Sequence, residues 1–168
     1  MQPLKKSVTA AAFISIAAAI LSAQDAAPKA AASPAPSFKA AFLNQLADSE
    51  KKLVSLAQAV PQDKMSWRPA EGVRSMSEVF MHEAGANYMF MNFLGAKPPA
   101  GIDRSMEKTV TDQAKIVQNL KDSFAHVRQT VSGLTDADMT KEAKMFGRAQ
   151  NYQTILFVYA NHMHEHLG

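Results

Sequence analysis

Two histidines near the end of the chain have the spacing of metal ligands on a helix. His162 and His166 are four residues apart, so an α-helix places their side chains one above the other on one face. Ile155 and Val158 share that face, which is therefore predicted to point inward. Two imidazole nitrogens placed in this way can bind one ion at ~2.0–2.1 Å. Residue 163 is methionine, so the H-E-x-x-H motif of metalloproteases is not formed.

A third histidine, His82, lies in an earlier helical segment, on an apolar stripe with Val79, Ala86, Met89 and Phe93. A buried imidazole needs a partner, because an unpaired ring nitrogen costs free energy on burial. The other two histidines, facing it across a core, would supply one. Three neutral imidazoles suit a divalent ion and leave a coordination position for water or substrate. Zinc or nickel is favoured, with iron, manganese and copper as alternatives.

Each histidine also has an interpretation without metal. His82 alone fits a core histidine with a hydrogen-bond partner. His162 and His166 could be partly exposed at a helix end, where the helix dipole favours them. His164 lies ~200° around the helix from His162 and is predicted to face away. His126 lies among polar residues and is predicted to be solvated.

Two glutamates next to these histidines are weak candidates for acid–base or ligand-supporting roles. They are Glu83 and Glu165, although the favoured interpretation is that both are ordinary surface carboxylates. A substrate pocket is expected near Tyr88, Met89, Phe93 and Tyr159.

The chain has ten methionines, several of them near the histidines, which allows a hypothesis of soft-metal handling. Methionines at helical spacing are usually core side chains, and we interpret these in that way. They are Met76, Met81, Met89, Met91 and Met163. The one tryptophan, Trp67, is predicted to anchor a connector against the helices.

The elements that must position these residues are helices. Hydrophobic periodicity predicts four of them, at residues 38–60, 75–94, 105–131 and from about 152 onward. Ser75 and Glu78 form a capping box at the start of the second helix. Connectors at 61–74 and 132–150 carry no clear strand signal. The sequence therefore predicts an all-α four-helix bundle over residues 38–168.

The residues before the bundle have the pattern of an exported protein. Lys5 and Lys6 precede an apolar run at 8–23, which predicts a signal peptide at 1–23, with a retained N-terminal anchor as the alternative. Residues 24–37 are rich in alanine, proline and serine and are predicted to be a flexible linker. The mature protein would be periplasmic or secreted, with no stable membrane span after cleavage.

Composition excludes several classes of function. The chain has no cysteine, which excludes disulfides, thiolate metal ligands, a cysteine nucleophile and a lipoprotein anchor. Without Lys5 and Lys6 of the leader, 16 basic residues face 15 acidic ones, a net charge of +1. This balance does not indicate a nucleic-acid-binding surface. An unknown small-molecule substrate is the expected partner.

Three segments together resemble the DinB-like family of bacterial metal-binding proteins. They are NHMHEHLG (161–168), VFMHEAGANYMF (79–90) and KMSWRPAEGVRS (64–75). The resemblance implies a DinB-type four-helix bundle with a long crossover, and a metal triad at His82, His162 and His166. Some relatives are thiol-dependent S-transferases and some are isomerases, and homodimers are common. Family members usually continue the fourth helix past the glycine, so we expect the last helix to be truncated at Gly168.

Two functions therefore remain open from the sequence. One is a metal-dependent hydrolase or transferase that acts at the open coordination position. The other is a non-catalytic module in which the ion binds to or stabilises the bundle. The coordination shell would distinguish them, because structural zinc sites are closed by protein ligands and catalytic sites keep a water.

Overall fold

The computed structural model describes residues 35–168, and residues 36–168 form one compact unit. The predicted signal peptide and most of the predicted linker lie outside the described residues. The helices are α1 (Phe38–Ala59), α2 (Met76–Phe93), α3 (Met106–Thr109), α4 (Gln113–Ser132) and α5 (Tyr152–Glu165). A two-stranded antiparallel hairpin consists of β1 (Glu142–Met145) and β2 (Arg148–Asn151). The fold is thus mostly helical, with four main helices.

The first two main helices begin and end where the sequence predicts. The hydroxyl of Ser37 accepts from the Ala40 amide at 3.3 Å, and α1 ends before Pro61. In α2 the predicted capping box is present: the Glu78 amide donates to Ser75 Oγ at 3.3 Å, and the Ser75 amide donates to Glu78 Oε2 at 2.7 Å. Both caps pair backbone amides that lack a partner inside the helix.

The third predicted helix, 105–131, is wrong as a single element. It is split into the short α3 and the long α4, with Val110 in an extended conformation between them. The Asp112 carboxylate accepts from the Lys115 amide at 2.9 Å and so begins α4 anew. Aspartate in this position competes with helix continuation because it bonds the backbone locally.

The connector predicted at 132–150 contains the hairpin, which the sequence did not indicate. Phe146 and Gly147 form its turn, with φ of 49° and 83°. Two successive residues with positive φ are typical of a tight hairpin turn that matches the strand twist. The strands themselves are short and rich in charged residues, so they lack the alternating apolar pattern of a strand.

The core lies between the four main helices. Helix α4 packs against α1 and α2, and α5 also packs against both of these helices. Fully buried side chains come from every main helix: Leu46, Leu53, Met91, Ile116, Leu120, Phe124, Ile155, Leu156 and Tyr159. Within residues 35–168, no helix has both the length and the apolar character that crossing a bilayer requires.

Several packing predictions can be compared with this core. Met81, Met91 and Met163 are buried, which confirms the interpretation as core side chains for these three, while Met76 and Met89 are half-buried against the core. The prediction for Trp67 was wrong, since 55% of this residue is exposed. The neighbouring Met65 is buried instead and attaches the connector to the bundle.

Candidate metal centre

Helices α2 and α5 bring three histidines together at one end of the bundle. His82 lies in the first half of α2, and His162 and His166 lie at the end of α5, one turn apart. One ring nitrogen of each lies within 4.8 Å of those of the other two, which is a group that could hold a metal ion. The ring centroids are 5.3 Å (82–162), 5.0 Å (82–166) and 4.7 Å (162–166) apart.

Two ring nitrogens in this cluster lack hydrogen-bond partners within the described part of the chain. Nε2 of His162 and Nε2 of His166 are buried, and neither has a hydrogen-bond partner among residues 35–168. Buried polar atoms are nearly always paired in folded proteins, so two such atoms within one histidine cluster need an explanation. A divalent metal ion would satisfy both, and imidazole nitrogen is a donor that zinc and nickel accept. The residues present therefore fit a metal.

His82 is oriented by a residue that the sequence did not indicate. With its proton on Nδ1, His82 donates to Glu107 Oε2 at 3.0 Å, and Arg74 Nε donates to Glu107 Oε1 at 2.7 Å. A carboxylate on Nδ1 leaves the lone pair on Nε2, as in carboxylate–histidine–metal arrangements. Burial opposes ionisation of Glu107, but the bonds from Arg74 and His82 outweigh it and hold its pKa below the usual range.

His162 and His166 are held neutral. Partial burial and the neighbouring histidines lower the pKa of His162 to about 4, with Arg74 as a further cause. Burial also lowers the pKa of His166, followed by His82 and Arg74. An imidazole must be unprotonated to bind a metal, so both side chains are in the ligand form at neutral pH.

Glu83 was expected at the surface, and this expectation was wrong. Its side chain is 0% exposed, and Oε2 lies 3.7 Å from Nε2 of His162. Burial raises the pKa of Glu83 to about 8, so the metal-free protein holds a proton there at neutral pH. A cation on the histidines would oppose this shift, because a nearby positive charge favours the carboxylate. Glu165, the other candidate, is exposed as expected.

A buried polar chain supports Glu83 from the core side. In one orientation of its amide, Asn87 Nδ2 donates to Glu83 Oε1 at 3.2 Å and to the Tyr159 hydroxyl at 2.7 Å. Asn87 and Tyr159 are both fully buried. These bonds leave Oε2 as the Glu83 oxygen that faces the histidines, and this atom has no hydrogen-bond partner in residues 35–168.

The two remaining histidines lie outside the cluster. His164 is exposed and bonds Gln45 through Nε2 at 2.9 Å, which confirms that it faces away. His126 was predicted to be solvated, and this was wrong. It is half-buried, its ring centroid is 5.2 Å from that of Tyr88, and its Nε2 is buried. Of its polar neighbours, Asp122 is exposed, whereas Ser123 is buried and bonds Asn87.

Two cavities approach the histidine cluster from different sides. One, of about 500 Å³, is bordered by His82, and the other, of about 530 Å³, is bordered by His166. Arg74 and Glu107 border both, so their ion pair lies between the cavities. Tyr88 and Met89 line the first cavity as expected. Phe93 and Tyr159 do not line either cavity, and Tyr159 belongs to the core instead.

The fold is similar to those of two solved proteins. A DinB-like protein from Bacillus cereus ATCC 10987 has a TM-score of 0.68 and 20% identity, over 76% of this chain and 84% of that one. A DinB-like protein from Bacillus subtilis has a TM-score of 0.60 and 21% identity, over 76% and 85%. No curated protein matches the sequence. The model of the DinB superfamily matches residues 45–168, so the chain belongs to the DinB superfamily.

Proposed function

We propose that this protein is a metal-dependent hydrolase or transferase that acts on a small molecule at a three-histidine site. The observation that supports this most is the cluster of His82, His162 and His166 beside an open cavity. Catalytic zinc sites use three protein ligands and keep one position for water or substrate. A metal held there would lower the pKa of bound water or polarise a substrate oxygen.

The chain's own residues have distinct roles in this proposal. Glu107 orients His82 through the hydrogen bond to Nδ1. The ion pair with Arg74 holds the Glu107 carboxylate in this position. Glu83 holds or accepts a proton at Oε2, next to His162 and away from bulk water. Glu165 is exposed and is not given a role.

A second candidate function is a non-catalytic, metal-stabilised module, and Glu83 is the reason to keep it. Donors on one tetrahedral ion lie ~3.3 Å apart when the bonds are ~2.0–2.1 Å. Oε2 of Glu83 lies 3.7 Å from Nε2 of His162, so a small movement would make it a fourth ligand. A site closed in this way would leave no position for substrate.

Elemental analysis of the purified protein tests the metal site first. We expect near-stoichiometric zinc or nickel in the wild type and its loss in a His82→Ala/His162→Ala double variant. A His126→Ala/His164→Ala variant is the matched control, since both of its histidines lie outside the cluster. A wild type that carries no metal and does not respond to added Zn²⁺ or Ni²⁺ in a melting assay would overturn the proposal.

The visible spectrum of the Co²⁺-substituted protein then separates the two functions. An exchangeable water, seen as a spectral change on adding azide, supports catalysis at an open position. A wild-type spectrum that does not change on adding azide, but differs from the spectrum of Glu83→Gln, supports a site closed by Glu83.

We propose in addition that the protein is exported, on the basis of Lys5, Lys6 and the apolar run at 8–23. The mass of the protein recovered from periplasm or medium tests this. A mature N-terminus close to residue 24 supports export with cleavage, and a full-length cytoplasmic protein contradicts it.

A further inference from the structure

The cavity beside His82 has the size and lining of a small-molecule site. Its volume of about 500 Å³ lies within the ~300–1,000 Å³ that such sites usually have. Apolar side chains from α2 and from residues 98–106 line much of its wall, among them Met81, Met89, Pro98, Ile102 and Met106. Methionines adapt their shape to a partner, so this wall can take alkyl groups of varied form.

A glycine in the wall keeps this space open. Gly85 lies inside α2 on the same face as His82 and Met89, at helical spacing i, i+3 and i+7. Glycine within a helix is less stable than alanine, because it loses more backbone freedom on folding. A Cβ at residue 85 would meet no atom within 4 Å, and the backbone does not require positive φ. Neither geometry nor packing therefore explains the glycine, whereas a side chain there would extend into the cavity.

Among the charged side chains around the cavity, Arg104 is the one available to a negative ligand. Four charged side chains border it: Arg74, Asp103, Arg104 and Glu107. Two of them are basic and two are acidic, so their charges balance. Glu107 is bound by Arg74, and Asp103 Oδ1 accepts from the Ser105 amide at 2.6 Å. Arg104 has no ion pair or side-chain hydrogen bond within residues 35–168. A divalent ion on the nearby histidines would add further positive charge.

We propose that this cavity binds the substrate and that the substrate is a carboxylate carried on a medium-length apolar group. The apolar group lies against the methionine side chains of the wall, over Gly85. The carboxylate pairs with Arg104, whose planar guanidinium can donate two parallel hydrogen bonds to it. This inference rests on the proposed function, because it names the substrate class of the same site.

Binding of octanoate, measured by calorimetry on the metal-free and the Zn²⁺-loaded protein, tests this. We expect octanoate to bind, and octylamine, with the same chain and the opposite charge, to bind at least roughly tenfold more weakly. In Gly85→Leu the filled cavity should lower octanoate affinity by roughly tenfold or more while Zn²⁺ affinity stays unchanged. Gly85→Ala, which also removes a helix glycine, should melt higher than wild type and lose less affinity.

Arg104 is tested with a matched pair of variants. Arg104→Gln should weaken octanoate roughly tenfold and leave octan-1-ol binding unchanged. Arg148→Gln, on the exposed strand β2, should change neither. Octanoate binding that is unaffected by Gly85→Leu, or absent from a wild type that binds Zn²⁺, overturns the cavity proposal and leaves the metal site standing. If the wild type binds no metal but binds octanoate, and Gly85→Leu abolishes that binding, the cavity proposal stands and the proposed function is overturned.

Discussion

At the residue scale, His162 and His166 are neutral at pH 7 and Glu107 fixes the orientation of His82. The His82–Glu107–Arg74 chain connects α2, α3 and the connector before α2 at the edge of the cluster. The imidazole can rotate about two side-chain bonds, so a fixed bond to Nδ1 reduces the freedom that metal binding would otherwise remove.

We predict that Glu107→Ala weakens Zn²⁺ binding by roughly 10–100-fold, the usual effect of removing a carboxylate that supports a ligand. Competition with a chromophoric chelator measures the affinity. Glu71→Ala, an exposed glutamate of the connector before α2, serves as the control and should bind as wild type. Equal affinities in all three proteins would show that Glu107 does not orient the ligand.

The three histidines could be predicted from the sequence because spacing determines which side chains share a helix face. The burial of Glu83 could not be predicted in this way. Helix α2 is covered on most sides, with Phe80, Met81, Ala86 and Phe90 buried around its circumference. A helix that is apolar all round buries its polar residues whichever face they occupy. The contact between Glu107 and His82 could not be predicted either, because α3 follows an irregular segment whose path hydrophobic periodicity does not determine.

At the element scale, Glu78 connects three segments at the start of α2. Its carboxylate accepts from the Ser75 amide at 2.7 Å, from Lys108 at 3.1 Å and from Arg68 at 3.3 Å. The Ser75 amide is the largest cause of the low pKa of Glu78, about 2, followed by Lys108 and Arg68. The capping carboxylate therefore also attaches two other segments to the start of α2, namely α3 and the connector that precedes α2. Glu107, which orients His82, lies in α3.

We predict a pH-dependent effect of Glu78→Gln. The folded pKa is about 2 against an ordinary value of 4.5, so the ionised carboxylate stabilises the fold above pH 4.5. That stabilisation is lost as the pH falls through the window from 4.5 to 2. The variant should therefore melt below wild type at pH 7, with a difference that shrinks towards pH 2. A melting difference that is constant from pH 7 to pH 3 would contradict this origin.

Helix α1 offers a matched pair of leucines for testing the core. Leu53 is 0% exposed and Leu56 is 45% exposed, although the two leucines are only three residues apart in the helix. Leu53→Ala should lower the free energy of unfolding by about 2–5 kcal/mol, because it leaves a cavity. Leu56→Ala should change it by less than about 0.5 kcal/mol. Urea unfolding measures both, and equal losses would mean that α1 packs with a different face.

The main helices were predictable because their caps and apolar stripes are local features of the sequence. The break between α3 and α4 was missed because the helical pattern continues through it, and only the Asp112 side chain shows where the new helix begins. The hairpin was missed because its strands are held by backbone bonds and a turn at Phe146 and Gly147, not by an apolar face.

At the scale of the whole molecule, metal binding and folding stability are linked. An ion that binds only the folded protein should stabilise it by about 2.7 kcal/mol when its concentration is 100 times the dissociation constant. We predict a melting temperature that rises with Zn²⁺ concentration in wild type and in His126→Ala, and does not rise in His162→Ala. Calorimetry measures the shift. The same rise in His162→Ala would place the bound ion elsewhere.

The three histidines are also far apart along the chain. An ion held by His82, His162 and His166 would close a loop of roughly 80 residues and restrict the unfolded chain as a cross-link does. For a disulfide, a loop of similar length is worth about 4–5 kcal/mol. This chain has no cysteine, so reductants have no bond to break, whereas chelators and acid can release the link. The supply of metal around the protein, and not the redox state of its compartment, would then control how firmly α5 is attached.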